Sequence, residues 1–173
     1  MSAVILETER TYLREFILED AKSFYELNLD PEVIKYTGDA PFESVAAAEE
    51  FIKAYDQYEK NGYGRWAVCM KESDEFIGFC GLKYHPDEDI TEVGFRFFRS
   101  YWNKGFATET ALACLKYGFE TQGLTKIYAH ADKDNFGSIR VLEKCGLNFV
   151  KSIFYDGHDA NLYLITRSDY EAK

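Results

Sequence analysis

The segment Trp102-Asn-Lys-Gly-Phe-Ala-Thr-Glu109 carries the clearest chemistry in this chain of 173 residues. A glycine at a helix entrance lets backbone N–H groups converge on an anion, and the positive end of the helix dipole adds to the attraction. The neighbouring charges agree. From Val93 to Thr108 there are Arg96, Arg99 and Lys104 but no Asp or Glu, although 30 residues of the chain are acidic. The stretch reads as a phosphate-binding turn, and an ordinary Gly-containing strand-to-helix turn is the plainer alternative. Other signatures fail. There is no G-x-x-x-x-G-K-[ST] loop, no G-x-S-x-G elbow and no H-E-x-x-H. Gly62-Tyr-Gly64-Arg-Trp-Ala67 imitates a dinucleotide fingerprint but precedes a strand instead of following one. A Cys145 thiol with His130 as its base is conceivable. Cys145, however, falls on the apolar side of its helix, where packing explains it.

These residues need a scaffold, and hydrophobic periodicity outlines one. Residues 11–16 alternate as a first strand, and Asp20 opens a helix running to Asn28. Asp30-Pro31 starts a short helical turn with proline at its first position. Residues 43–60 form a longer helix whose apolar face carries Ala47, Ala48, Phe51, Ile52 and Tyr55. Three strands follow over 65–71, 75–84 and 91–98, with a tight turn at Ser73-Asp74. A helix over 106–121, a strand over 126–131, a helix over 138–145 and strands over 147–155 and 161–166 complete the order. The class is mixed α/β, with an antiparallel centre followed by one parallel β-α-β crossover.

Composition narrows the function. The chain is 46% apolar and 17% aromatic, ample for a core, and its formal net charge is −10. That charge argues against generic nucleic-acid binding, which depends on neutralising phosphates. It suits a cationic substrate. No apolar run reaches the roughly 18–20 residues of a membrane span, and residues 1–13 lack the pattern of a signal peptide. Cys69, Cys80, Cys114 and Cys145 are widely spaced, so reduced thiols in a cytoplasmic protein are expected and a metal site is not. Without repeats or linkers, residues 1–173 are expected to form one domain.

Two segments together resemble a known family. Glu92-Val-Gly-Phe-Arg-Phe-Phe-Arg-Ser-Tyr-Trp-Asn-Lys-Gly-Phe-Ala-Thr-Glu109 is similar to motif A of the GNAT acyltransferases, closest to the branch of ribosomal-protein N-terminal acetyltransferases. Asn135-Phe-Gly-Ser138-Ile-Arg-Val-Leu-Glu-Lys-Cys-Gly146 resembles that branch's second signature. Thr8-Glu-Arg-Thr-Tyr-Leu-Arg14 with Asp20-Ala21, and Asp159-Ala-Asn-Leu-Tyr163, are similar to its two ends. The resemblance implies a mostly antiparallel sheet whose parallel crossover opens a V-shaped cleft for acetyl-CoA. Backbone from Lys104 through Gly105, Phe106 and Ala107 to Thr108 would receive the diphosphate. Backbone near Phe95 and Phe97 would receive the pantetheine arm. Asn135 would reach pantetheine amides or the turn, and Ser138 would lie near the sulfur, although either could simply cap the following helix.

Acyl transfer to an amine requires removal of a proton, donors for the developing oxyanion and help for the leaving thiolate. The resemblance assigns the base to Glu92 and makes it and Ser138 the catalytic pair. Where many members place a tyrosine acid, this chain has Leu142, so Ser138 or water substitutes, or the thiolate leaves unaided. Asn103 and Leu147 stand where Gly and Phe are usual. The implied activity is acetylation of a primary amine, on a protein N-terminus or a small molecule, by direct attack in a ternary complex. The protein would be a monomer or homodimer with no metal, nucleic-acid or membrane partner. The acceptor would enter past the first two helices and the loops at 36–42, 85–90 and 155–161, where Asp39, Asp87, Glu88, Asp89, Asp156 and Asp159 could attract a cation. The alternative is a GNAT-fold module that binds CoA without catalysis.

Overall fold

In the computed structural model, which describes residues 3–172, all eight strands belong to one sheet, ordered β1-β2-β3-β4-β5-β6-β8-β7. In chain order the elements are β1 (Val4–Glu7), β2 (Thr11–Arg14), α1 (Ala21–Leu29), α2 (Pro31–Ile34), α3 (Val45–Ala54), α4 (Gln57–Asn61), β3 (Arg65–Met70), β4 (Phe76–His85), β5 (Ile90–Phe97), α5 (Phe106–Lys116), β6 (Lys126–Asp132), α6 (Phe136–Lys144), β7 (Asn148–Tyr155), β8 (His158–Thr166) and α7 (Arg167–Glu171). Neighbouring strands run antiparallel except β5 and β6. This is the expected mixed α/β class, an antiparallel sheet with one parallel pair.

Strand alternation divides the core into two layers. Trp66 and Val68 of β3 and Ile77, Cys80 and Leu82 of β4 pack with Ala111, Cys114 and Leu115 of α5 and Leu142 of α6. Ala67, Phe76 and Phe79 face the other way, onto Phe24 and Leu27 of α1 and Ala48 and Ile52 of α3. Helices therefore cover both faces of the sheet.

Local readings change: α7 is not among the expected elements, and β8 starts at His158 rather than at residue 161. Residues 4–7 pair with β2 as an extra strand. The expected helix over 43–60 is two helices, broken at Tyr55 (φ −73°, ψ 105°), whose hydroxyl accepts from the Arg65 backbone N–H at 2.7 Å. The helix beginning at Phe106 leaves α geometry after Lys116 for a π-helical turn, Tyr117–Thr121. Asp20 precedes α1 without capping it. Its buried carboxylate instead takes both Arg14 guanidinium nitrogens, at 2.8 and 2.9 Å, and the Ile17 N–H at 2.9 Å.

The feature that positions the site is the β5–β6 pair. The two strands share a single register position, Glu92 opposite Tyr128. Beyond it they splay, although β5 stays laddered to β4 as far as Phe97 and β6 to β8 as far as Asp132. Backbone groups on the facing edges are thus left without ladder partners.

Candidate active site

A cleft of about 620 Å³ runs from this splay toward α1 and α3. Its floor is the β5 face bearing Glu92, Gly94 and Arg96, side chains that share one side because they alternate with Val93 and Phe95. Arg65, His130, Asn135, Ser138, Leu142 and Tyr155 surround the Glu92 end. Phe24, Phe42, Phe51, Tyr55 and Phe79 make the other end aromatic.

Glu92 is 6% exposed and bound from three sides. His130 Nδ1 contacts Oε2, and His85 Nε2 and Arg65 Nη2 each lie 3.3 Å from Oε1. Burial alone would raise the Glu92 pKa. The hydrogen bonds from His130 and His85 and the Arg65 charge outweigh it and hold the carboxyl well below its ordinary range. An ionised carboxylate only accepts, so His130 Nδ1 and His85 Nε2 each carry the proton of their contact with Glu92. The His130 ring lies 3.9 Å from the Tyr155 ring, centroid to centroid. The Tyr155 phenol is pushed up to about 12 by burial first, then by the Glu92 charge. Among the described residues no group of three or more His, Cys, Asp or Glu side chains could hold a metal ion.

The nitrogens of Arg96 are divided. Nη1 donates to Asn28 Oδ1 at 2.7 Å and Nη2 to Asp39 Oδ2 at 2.7 Å, with Phe79 under the guanidinium. That ion pair ties the loop after α2 to the cleft floor. Tyr36, Thr37, Asp39 and Phe42 from this loop and Tyr155 and Asp156 from the β7–β8 turn line the cleft, together with Asp56 and Asp132. Asp87, Glu88, Asp89 and Asp159 do not line it. Asp89 instead accepts from the Tyr84 hydroxyl at 2.6 Å, and Asp159 pairs with Lys133.

Gly105 precedes α5 at φ +85°, in the left-handed region that suits glycine, and Asn103 is also left-handed at φ +61°. No side chain caps α5, and its first turn closes with Glu109 N–H to the Gly105 carbonyl at 3.0 Å. The N–H groups of Phe106, Ala107 and Thr108 therefore precede the first intrahelical bond and can meet an anion. A β-carbon on Gly105 would meet only Arg10 Nη2, at 3.4 Å, within the protein. The space beside it is open. Lys104 lies 5.8 Å from the Tyr101 ring centroid. Glu109 ties the turn to the β1–β2 hairpin, accepting from Thr8 Oγ1 at 2.5 Å and from Arg10 N and Nε at 3.0 and 2.8 Å.

On β5, a β-carbon at Gly78 would overlap the Arg96 carbonyl, which thus faces β4. By alternation the peptide groups of Phe95 and Phe97 face the splay. The Phe97 carbonyl already accepts from Trp102 Nε1 at 2.9 Å, so its N–H is the group left to a ligand. Asn135 is the N-cap of α6, accepting from Ser138 N–H at 3.2 Å, and both residues line the cleft. Capping and lining are thus combined. Leu142 lines the same wall with no hydroxyl to offer. The conceivable Cys145–His130 pair does not form. Cys145 is fully buried with Sγ 3.9 Å from the Thr108 carbonyl, while His130 binds Glu92.

Sequence reasoning did not bring His85, Arg65 and Tyr155 to Glu92. The available signal was Gly94, two residues beyond Glu92 on one strand face, where a missing side chain leaves room for a neighbour to cross.

The comparisons with known proteins agree with this architecture. The family model described as the acetyltransferase (GNAT) domain matches residues 10–148. The "Uncharacterized N-acetyltransferase p20" of Bacillus licheniformis is 36% identical over 148 residues, covering 84% of this chain and 82% of that protein. The spermidine N(1)-acetyltransferase of Escherichia coli is 23% identical over 153 residues, covering 83% and 76%. A crystal structure of a GNAT-family acetyltransferase from Bacillus anthracis superposes with a TM-score of 0.81 at 27% identity, covering 94% of this chain and 98% of that one. With a family model spanning most of the chain and a relative this similar along most of its length, the protein belongs to the GNAT acetyltransferase family, whose acetyl donor is acetyl-CoA.

Proposed function

We propose that this protein transfers the acetyl group of acetyl-CoA to the primary amine of a small cationic molecule. The observation that carries the reading is a buried, ionised Glu92 in the wall of the cleft beside the β5–β6 splay. Acetyl-CoA supplies an activated acyl carbon. The chain supplies its binding and the handling of protons.

The left-handed Gly105 turn and the uncapped amides of Phe106, Ala107 and Thr108 suit the diphosphate, with Lys104 beside them as a cation. The outward peptide groups of Phe95 and Phe97 suit the amides of pantetheine. Asn135 and Ser138 line the cleft from the entrance of α6. Glu92 and Ser138 both line the cleft, Glu92 as the carboxylate of a hydrogen-bonded cluster on the amine side and Ser138 as a hydroxyl for the thiol side.

The acceptor class follows from the cleft's charges and rings. Asp39, Asp56, Asp132 and Asp156 join Glu92 in lining it, with Arg65, Lys83 and Arg96 as the cations. Several of these are already paired: Arg65 with Glu92, Arg96 with Asp39, Asp56 with Lys60 and Asp132 with His158. Aromatic walls and acidic edges suit an ammonium on an apolar stem, and a spermidine acetyltransferase is among the relatives. Thiol release from acetyl-CoA in the presence of polyamines, amino acids and short basic peptides tests the reading, with the largest rate expected for a small polycationic amine. The competing reading, a module that binds CoA without catalysis, rests on Leu142 in place of a hydroxyl-bearing residue. It would stand if CoA bound and no amine released thiol.

A further inference from the structure

We propose that His130, with its Nε2 lone pair, is the group that takes the proton from the acceptor amine, and that Glu92 is its positioning partner. The inference rests on the acetyltransferase reading above and deepens it. Glu92 is poorly suited to take the proton itself. Its two oxygens already accept from His130, His85 and Arg65. A proton arriving from an ammonium would sit on the weakest base in the cluster, beside three groups that already donate to it.

His130 has the opposite character. Its ring lines the cleft and its side chain is 24% exposed, against 9% for Glu92. Nδ1–H is held by the carboxylate and one ring face by Tyr155, so the imidazole is fixed in position and tautomer. Nε2 is then the nitrogen with a free lone pair, which is the logic of a carboxylate-oriented imidazole base. Imidazole is also the side chain whose ordinary titration falls between pH 5 and 8. Six charged or titratable groups set its surroundings: Glu92 on β5, His85 and Arg65 behind Glu92, Tyr155 and Asp156 at the end of β7, and Asp132 on its own strand.

The proton balance is simple. Nε2 takes one proton from the ammonium, and the freed lone pair forms the N–C bond as the C–S bond breaks. The surplus N–H proton neutralises the departing thiolate, and the imidazolium returns its proton to solvent.

His130→Asn retains a donor near Nδ1 for Glu92 and removes Nε2. It is expected to lower kcat by about 10²–10³-fold, within the usual range for a general base, and to abolish the acidic limb of the kcat/KM profile, with acetyl-CoA affinity unchanged. Glu92→Gln is the second variant. It should lower kcat but keep the limb, moved to lower pH, because losing a neighbouring negative charge disfavours the imidazolium. If Glu92 were itself the base, Glu92→Gln would erase the limb and His130→Asn would keep it. An active wild type whose His130→Asn form retains rate and limb overturns this inference alone. A wild type that releases no thiol with any amine overturns both readings. Should His130→Asn fail to fold, the direction in which Glu92→Gln moves the limb still decides.

Discussion

Arg65 crosses directly over Gly94 to reach Glu92. A β-carbon on Gly94 would stand 2.5 Å from Arg65 Nη1 and 2.6 Å from Nη2. The same guanidinium donates to the Gly81 carbonyl at 3.1 Å, so it is anchored on β4 while one nitrogen reaches Glu92 on β5. The Glu-x-Gly spacing of this strand is thus a steric requirement. Gly94→Ala should fold, since the atoms it meets are the end of a flexible side chain, but should push the guanidinium off the carboxylate. A charge-assisted hydrogen bond of about 1.5–3 kcal/mol is at stake, and about tenfold in kcat is the expected loss. Unchanged kcat in a folded Gly94→Ala protein would remove Arg65 from the account.

Gly105 tests the anion site. Its left-handed backbone and the open space beside it allow a close approach that any β-carbon obstructs. Gly105→Val is expected to weaken acetyl-CoA binding at least about tenfold in titration calorimetry, partly through helix-entry strain. Circular dichroism should be unchanged. Wild-type affinity in this variant would place the diphosphate elsewhere.

Glu109 makes stability depend on pH. Burial would raise its pKa, but the hydrogen bonds from Thr8 and Arg10 prevail and hold it below the ordinary value. A depressed carboxylate contributes stability that is fully present above the unfolded value, about 4.3 for glutamate, and is lost as pH falls through the folded value. Thermal melts between about pH 6 and pH 3 should show wild type losing stability on acidification. Glu109→Gln should start about 1–2 kcal/mol lower and fall less steeply. Parallel curves would mean that the Thr8–Arg10 contacts carry no net charge effect.

Salt should report which acids guide the acceptor. Raising salt from about 20 to 300 mM shortens the screening length from roughly 20 Å to under 10 Å, and kcat/KM for a polycationic acceptor should fall. Asp39→Asn with Asp156→Asn should flatten that dependence, because both residues line the cleft. Neutralising Asp87, Glu88 and Asp89 on the β4–β5 hairpin should change it less. Equal effects from the two sets would point to the net charge of −10 as a whole.

The Arg14–Asp20 pair is a structural control. Both side chains are buried, at 8% and 5% exposure. Asp20→Asn leaves the guanidinium without its anion, and removing one partner of a buried pair costs about 3–5 kcal/mol. Chemical denaturation should detect it. A loss under about 1 kcal/mol would assign the pair to the range of surface ion pairs.

Much of this molecule was legible in local sequence. Alternation placed β3, β4, β5 and β6 to within about two residues, because each strand buries at least one face. The left-handed Gly105 and the cap from Asn135 to Ser138 N–H are contacts within a few residues, so short motifs reveal them. Where the signal was weak or tertiary contacts prevailed, the reading fell short. The helix over 43–60 breaks at Tyr55 because its hydroxyl finds the Arg65 backbone, a partner that periodicity cannot see. The short β1 gains strand character from its pairing with β2. Glu92 could be singled out from its strand, but not the imidazoles and guanidinium that bind it. His85, Arg65 and His130 lie 7, 27 and 38 residues away in sequence. Three strands of one sheet bring Arg65, Glu92 and His130 together, and the splay of β5 from β6 opens them to the cleft. Residue type and spacing thus determined the family of chemistry. The tertiary fold decided which groups surround Glu92, because a hydrogen-bonding partner far away in sequence is chosen only when the sheet closes.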